Sequence, residues 1–173
     1  MQFIDLAKQQ KLIKDELDNR IQAVLSHGKY IMGPEVKEME VQLAEYAGVK
    51  HCVSCSSGTD ALLMPLMAWG VGPGDAIFTT PFTFIATAEV IQLLGATPVF
   101  VDIDPATYNI SPELLEKAIL EVKAAGVLNA KAIIPVDLFG LPADYPSIEI
   151  IASKYDLKVL EDAAQGFGGR IGD

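Results

Sequence analysis

Beyond residue 50 the sequence alternates short apolar runs with amphipathic runs, and this alternation restricts the fold more than any other feature. The strand-like runs are HCVSC (51–55), AIFTT (76–80), PVFVDI (98–103), KAIIPV (131–136) and LKVLE (157–161). Helical spacing of apolar residues marks the stretches between them, which are residues 59–68, 83–94, 112–124 and 147–155. Strands that alternate with helices predict a mainly parallel sheet with helices on both faces, a three-layer α/β/α fold.

The first 50 residues are predicted to form helices. Apolar residues recur at helical spacing from Leu12 to Leu25, and Gly28 interrupts the pattern. A second helix is expected from Pro34, a favourable first-turn residue, to Gly48, a favourable stop. The stretch HGKYIMGPE between the two helices is predicted to be a loop.

Composition excludes several classes of function. The chain has 173 residues, of which 50% are hydrophobic, so it can bury a core. Its formal net charge of -10 opposes binding to nucleic acid and to anionic membranes, both of which need a basic face. The N-terminal MQFIDLAKQQ lacks the apolar core of a signal peptide, and no apolar run approaches the roughly 18 residues of a membrane span. We therefore expect a cytoplasmic protein.

Cys52 and Cys55 form a C-x-x-C pair, a spacing that is also found in redox and zinc sites. Because the pair lies in a predicted strand, its Cα atoms should be about 10 Å apart, beyond the roughly 7 Å that a disulfide allows. Only His27 and His51 could complete a zinc site. We therefore expect two free thiols and no bound metal.

Polar and aromatic residues follow the predicted strands at the point where each strand ends. The five following stretches are SSGTDA, PFTFIAT, DIDPATY, DLFG and DAAQG. In open parallel sheets, ligands bind beyond the carboxyl ends of the strands. The sequence therefore predicts a ligand site at this edge of the sheet.

The stretch SSGTDA is a candidate phosphate site because it opens a helix whose first N–H groups are free. Gly58 would allow close approach of the backbone, and Thr59 would add a hydroxyl. An ordinary helix cap formed by Ser56, Ser57 or Thr59 is the alternative. Neither a Walker loop nor a G-x-G-x-x-G fingerprint is present.

Two further stretches carry candidate ligand contacts, each with a structural alternative. Phe82 and Phe84 could stack on a flat heterocycle, although packing in the core is the more common role of such residues. Asp102 and Asp104 could bind a ribose hydroxyl as in a dinucleotide fold, but the glycine fingerprint of that fold is missing.

Asp162 is the most informative residue, because it stands at the tip of a strand predicted to be buried. A buried carboxylate needs a partner that stabilises its charge. The partner could be the protonated ring nitrogen of a bound cofactor, or a structural Arg or Lys. Gln165, three residues further on, could reach the same ligand.

Four separated motifs, GTDAL, TPFTFIATAEVIQLLGATPVFVDID, IIPVDLFG and LEDAAQGFG, together resemble the DegT/StrS family of pyridoxal-phosphate-dependent sugar aminotransferases. The resemblance extends from FIDL at residues 3–6 to the end of the chain. Within that family the sequence resembles the UDP-2-acetamido-2-deoxy-3-oxo-glucuronate aminotransferases of surface-polysaccharide pathways.

The resemblance implies the large domain of fold type I, the aspartate aminotransferase fold, in an incomplete form: N-terminal helices and part of the cofactor domain over residues 1–173. It implies a homodimeric parent enzyme that moves an amino group from glutamate to a nucleotide-linked keto sugar. A family dehydratase, with histidine in place of the catalytic lysine, and a non-catalytic cofactor- or nucleotide-binding module are the alternatives.

The resemblance also assigns roles to residues. Gly58 and Thr59 would hold the phosphate of pyridoxal 5′-phosphate, Phe84 would lie against its ring, Asp162 would pair with the ring nitrogen and act in catalysis, and Gln165 would bond the phenolic oxygen. Tyr30 and Gly33 are candidate substrate contacts. The Schiff-base lysine of the family is expected beyond residue 173, so this chain alone is expected to be inactive.

Overall fold

The computed structural model describes residues 3–172, which form two compact units. The first unit ends at Ser54, and the second begins at Cys55. The helices of the first unit are α1 (Leu6–Leu12), α2 (Lys14–His27) and α3 (Pro34–Ala47). The elements of the second unit are α4 (Gly58–Ala68), β1 (Asp75–Thr79), α5 (Ala86–Leu93), β2 (Thr97–Phe100), α6 (Pro112–Ala125), β3 (Asn129–Ile134), a 3-10 turn (Leu138–Gly140), α7 (Tyr145–Tyr155) and β4 (Lys158–Val159).

The helices of the first unit follow the sequence closely. Gly28 and Gly48 end α2 and α3 with φ angles of 65° and 68°, the left-handed conformation that favours glycine. The first predicted helix is divided at Ile13, which separates α1 from α2. Arg20 of α2 pairs with Glu38 of α3 at 2.8 Å.

The four strands pair in parallel in the order β2-β1-β3-β4, which confirms the predicted parallel sheet. Helices cover both faces, because consecutive residues of β1 enter different cores. Phe78 packs in a core with residues of α6 and α7, whereas Ile77 packs in a core with residues of α4 and α5. The three-layer α/β/α arrangement is therefore confirmed.

The predicted strand HCVSC is wrong, since residues 51–55 form neither strand nor helix. A strand needs a neighbouring strand to pair its backbone groups, and here one of those groups, the N–H of Ser54, is bonded by the side chain of Glu40 of α3. Its carboxylate accepts bonds from the N–H of Ser54 at 2.8 Å and from the Ser54 hydroxyl at 2.7 Å. An apolar run alone does not reveal whether such a neighbour exists.

Cys52 and Cys55 are free thiols, as predicted, although the strand that motivated the prediction does not form. The Cys55 thiol donates to the carbonyl oxygen of Ser57 at 3.2 Å. Within residues 3–172, no group of three or more His, Cys, Asp and Glu side chains is arranged to hold a metal ion. None of the described helices has the length and apolar character needed to cross a bilayer.

Candidate functional site

A cavity of about 260 Å³ lies in the second unit, at the carboxyl edge of the sheet. The N-terminus of α4, the loop between β1 and α5 and the segments that follow β3 and β4 form its walls. All five residues that were predicted to contact the cofactor line it, namely Gly58, Thr59, Phe84, Asp162 and Gln165. Tyr30 and Gly33 belong to the first unit, and their role stays a prediction.

The N-terminus of α4 combines an ordinary cap with free backbone donors. Ser57 is the cap, because its hydroxyl oxygen accepts the N–H of Asp60 at 3.1 Å. Within the described chain, the N–H groups of Gly58 and Thr59 have no protein acceptor, as expected for a first helical turn. A Cβ built on Gly58 would meet no atom within 4 Å, so space beside this backbone is open.

Asp60 organises the serine hydroxyls beside these donors. Its carboxylate accepts hydrogen bonds from Ser56 and from Ser57, the latter at 3.0 Å. These two bonds, that of Ser56 first, hold the pKa of Asp60 below its ordinary value. The hydroxyl protons of Ser56 and Ser57 are therefore already used in hydrogen bonds to Asp60. The donors that remain for an anion are the backbone N–H groups of Gly58 and Thr59 and the Thr59 hydroxyl.

Asp162 lies where the parallel pairing of the sheet continues beyond β3 and β4. Its N–H donates to the carbonyl of Pro135 at 2.9 Å, and its carbonyl accepts the N–H of Asp137 at 3.1 Å. Only 7% of the residue is exposed. The backbone of two neighbouring segments thus fixes this carboxylate at the base of the cavity.

The Asp162 carboxylate has hydrogen-bond donors but no cation beside it. Oδ2 accepts the hydroxyl of Thr87 at 2.7 Å, and Oδ1 accepts the N–H of Ala164 at 3.3 Å. None of the ion pairs between residues 3 and 172 involves Asp162. The structural alternative of an Arg or Lys partner is therefore absent from the part of the chain that the structure describes.

The loop after β3 holds the Gln165 amide in one orientation. The side-chain Oε1 accepts the backbone N–H of Phe139 at 2.8 Å, which leaves the NH₂ group as the donor available to a ligand. Phe139 has a left-handed φ of 56°, and Gly140 follows with 85°. The sequence motif DLFG gave no sign of this contact, since nothing in it identifies Gln165 as its partner.

The two phenylalanines after β1 are both outside the core, so the expectation of core packing was wrong. Phe84 is 70% exposed and lines the cavity. Phe82 packs instead against Tyr108 and Phe139, with ring centroids 5.8 and 6.3 Å apart. Exposure leaves Phe84 available to cover a flat ligand.

Asp102 and Asp104 serve their own loop and do not line the cavity. Asp102 accepts the N–H of Ile103 at 2.8 Å, and Asp104 accepts that of Ala106 at 2.7 Å. These are local turn contacts of the kind that aspartate commonly makes. The dinucleotide alternative therefore has no support in the geometry.

Thr87 is the residue that the sequence interpretation missed. It is fully buried in α5 and connects Asp162 to Thr83, whose hydroxyl lies 3.0 Å from its own. The T-x-x-x-T spacing of positions 83 and 87 would place two hydroxyls on one face of the helix predicted for residues 83–94, although α5 begins only at Ala86 and Thr83 precedes it. That signal was available, but its partner is 75 residues away in sequence.

A second group of acids, Asp137 and Glu161, lines a separate pocket together with Tyr145. Asp137 is buried, and its Oδ1 accepts the N–H of Ala143 at 3.0 Å and the hydroxyl of Tyr145 at 2.8 Å. Partial burial, then a hydrogen bond with Asp137 and the charge of Asp137, raise the pKa of Glu161 to about 6. Burial, followed by the bond to Asp137, raises the pKa of Tyr145.

Comparison with known proteins identifies the family. The model of the DegT/DnrJ/EryC1/StrS aminotransferase family matches residues 11–173. The chain belongs to this family. As a DegT/DnrJ/EryC1/StrS protein it shares the fold of the fold-type I aminotransferases over the part described here.

Relatives within the family are similar over nearly the whole chain. The UDP-2-acetamido-2-deoxy-3-oxo-D-glucuronate aminotransferase of Pseudomonas aeruginosa is 56% identical over 168 residues, which are 97% of this chain and 45% of that protein. A DegT/DnrJ/EryC1/StrS aminotransferase from Brucella abortus superposes with a TM-score of 0.94 at 55% identity, covering 95% of this chain and 44% of that one. The chain thus spans less than half the length of these relatives.

A less similar solved structure contains a cofactor. NtdA from Bacillus subtilis, with bound PMP (pyridoxamine 5′-phosphate), has a TM-score of 0.82 at 37% identity, over 89% of this chain and 34% of that one. The donor set of the present cavity fits such a group. It offers free amides for a phosphate, a buried carboxylate without a cation for a protonated ring nitrogen, and an amide NH₂ for an oxygen.

Proposed function

We propose that this chain is part of a pyridoxal-phosphate-dependent aminotransferase that moves an amino group from glutamate to a nucleotide-linked keto sugar. The observation that carries the proposal is the buried Asp162 carboxylate, which has no cationic partner among residues 3–172 and shares a cavity with free amides of α4. A cationic ring joined to an anionic group satisfies both ends of this cavity at once.

The phosphate end is formed by the first turn of α4. The N–H groups of Gly58 and Thr59 and the Thr59 hydroxyl would donate to phosphate oxygens, and the positive end of the helix dipole would favour the negative charge. The Asp60 carboxylate accepts hydrogen bonds from the hydroxyls of Ser56 and Ser57. These bonds reduce the repulsion between the Asp60 carboxylate and a phosphate bound at the first turn of α4.

The ring end is formed by Asp162, Gln165 and Phe84. Asp162 would accept a hydrogen bond from the protonated ring nitrogen and keep that proton in place. The Gln165 NH₂ would donate to the phenolic oxygen, and Phe84 would cover a face of the ring. When bound, the cofactor supplies a ring that accepts the electron pair released from the substrate carbon.

The chain binds and orients the cofactor but places no lysine against it. None of its eleven lysines, all within residues 3–172, lines the cavity. We therefore propose that the 173 residues hold the cofactor without a covalent bond and do not turn over substrate alone. The acid-base group of the reaction would come from elsewhere in the assembled enzyme.

The substrate class is proposed from a relative. The name of the Pseudomonas aeruginosa protein describes an aminotransferase that acts on a UDP-linked 3-oxo sugar. We extend that class to the present protein, together with a homodimer and a cytoplasmic location. The family match and the aminotransferase names of the relatives favour this reading over a dehydratase or a non-catalytic module.

The test uses PMP, because this form of the cofactor needs no lysine. Binding to the chain is measured by calorimetry for the wild type, for Asp162→Asn and for Asp102→Asn as a control aspartate outside the cavity. We expect Asp162→Asn to weaken binding by about tenfold or more, in line with the loss of a charge-assisted bond, and Asp102→Asn to leave it unchanged. Equal affinities of all three proteins, or no binding by the wild type, would overturn the proposal.

A further inference from the structure

We propose that Thr87 is a positioning residue, which holds the Asp162 carboxylate in the orientation that presents it to the cofactor. The inference rests on the proposed function and adds a residue that does not touch the cavity. Thr83, Thr87 and Asp162 form one chain of hydrogen bonds, with oxygen separations of 3.0 and 2.7 Å.

The direction of this chain follows from which groups can donate. A carboxylate oxygen only accepts, so the single hydroxyl proton of Thr87 is given to Oδ2 of Asp162. The Thr87 oxygen can then only accept from its other neighbour, which makes Thr83 the donor in the remaining bond. Both protons therefore point towards the carboxylate, and each bond polarises the next.

The two oxygens of the carboxylate are held unequally as a result. Oδ2 has the short bond from Thr87 at 2.7 Å, whereas Oδ1 has only the longer bond from Ala164 at 3.3 Å. Rotation of the carboxylate would break the stronger bond, inside a region where Thr87 is fully buried. Oδ1 is thus the oxygen with the greater remaining capacity to accept from a ligand.

Another buried threonine, Thr79, shows that a buried hydroxyl in this protein does not need a carboxylate as its hydrogen-bond acceptor. Thr79, also fully buried, donates to the backbone carbonyl of Ile134 at 2.8 Å. Helical threonines commonly bond backbone carbonyls in the same manner. Thr87 instead bonds a side chain from another segment, so its hydroxyl is tied to the site and Thr79 provides a matched control.

The experiment combines two readouts on the 173-residue chain. The first is binding of PMP labelled with ¹⁵N at the ring nitrogen, with the ¹⁵N chemical shift as the measure of ring protonation. The second is the crystal structure of each protein without ligand, which gives the orientation of the Asp162 carboxylate. The variants are Thr87→Val, Thr87→Ser, Thr83→Val and the control Thr79→Val.

Thr87→Val keeps the branched shape and removes the hydroxyl. We expect about tenfold weaker binding, a smaller fraction of protonated ring nitrogen and a rotated Asp162 carboxylate, since a bond to a charged group is lost. Thr87→Ser should restore all three properties, and Thr79→Val should match the wild type in each. A purely structural role of Thr87 would change stability without changing the ring-nitrogen shift.

Thr83→Val keeps the inference testable if Thr87→Val does not fold, because it leaves the buried position intact. It should weaken binding by about two- to threefold, the value of one neutral bond. Wild-type ring protonation and an unrotated Asp162 in the valine variants would overturn the role of Thr87, with the proposed function unaffected. If the wild type fails to bind, the proposed function falls, and the orientation of Asp162 without ligand still decides the role of Thr87.

Discussion

Gln165 and Phe139, 26 residues apart in sequence, are joined by a hydrogen bond of 2.8 Å from a backbone N–H to a side-chain amide oxygen. The bond determines which end of the amide is free for a ligand. Phe139 reaches it with a left-handed φ of 56°, a conformation that costs a non-glycine residue about 1 kcal/mol. The 3-10 turn after β3 thus shapes the cavity through the backbone of Phe139, which does not itself line it.

This relationship predicts different results for two substitutions of Gln165. Gln165→Glu keeps an acceptor for the Phe139 N–H but loses the NH₂ donor, so PMP affinity should fall about tenfold while the free energy of unfolding stays nearly unchanged. Gln165→Ala loses both functions and should also lower the free energy of unfolding by up to about 1 kcal/mol. Calorimetry and urea denaturation measure the two quantities. Wild-type affinity of Gln165→Glu would contradict the assigned donor.

Gly166 is predicted to be irreplaceable because of Asp137. A Cβ at position 166 would lie 2.6 Å from the Asp137 Cβ and 2.9 Å from its Oδ2. Gly166→Ala should therefore lower the free energy of unfolding by about 2–3 kcal/mol, the usual cost of overpacking. Gly72→Ala is the control, since its nearest atom would be 3.9 Å away. A difference below about 0.5 kcal/mol between the two variants in urea denaturation would refute this.

Much of this architecture could be predicted from sequence because one geometric rule connects it. Parallel strands place their carboxyl ends at one edge, so stretches far apart in sequence, such as SSGTDA and DAAQG, were expected to meet, and they do. The hydrogen-bond partners of individual backbone and side-chain groups cannot be predicted by such a rule. HCVSC has the apolar pattern of a strand, but the N–H of Ser54 within it bonds the side chain of Glu40. The hydrogen bond from Thr87 to Asp162 joins side chains that are 75 residues apart in sequence.

Glu161 predicts a pH dependence of stability. Its pKa is raised from 4.5 to about 6, so between these values the folded state binds more protons than the unfolded state. The free energy of unfolding therefore falls as pH rises through this window, and the contribution of Glu161 is lost as pH rises through its folded pKa of about 6. Glu161→Gln cannot ionise, so its stability relative to the wild type should increase from pH 4.5 to pH 7 in urea denaturation.

Glu116 provides a control because its pKa is shifted in the direction opposite to that of Glu161. A bond from Lys154, and then one from Tyr155, lower its pKa below 4.5, so its contribution is present at neutral pH and is lost as pH falls. Glu116→Gln should therefore lose stability relative to the wild type as pH rises. Parallel pH profiles for Glu161→Gln and the wild type would contradict the assignment to Glu161.

The lysines of the chain predict the outcome of a labelling experiment. Pyridoxal 5′-phosphate is added, the protein is reduced with borohydride and digested, and the labelled peptides are identified by mass spectrometry. Lys158 begins β4 at the end of the strand opposite the cavity, and Lys131 is paired with Asp75 at 2.8 Å. Since no lysine lines the cavity in the part of the chain that the structure describes, we expect weak labelling spread over several exposed lysines.

Pyridoxal without phosphate is the matched control, because it reacts with exposed amines but lacks the group that the first turn of α4 would bind. The two reagents should label the same lysines to a similar extent, since a cofactor held without a covalent bond leaves no product after reduction. Stoichiometric labelling of one lysine by the phosphorylated reagent alone, with turnover of glutamate, would show that the chain carries its own catalytic amine. Non-covalent binding of PMP, measured on the same protein before reduction and digestion, would confirm that the cavity is formed.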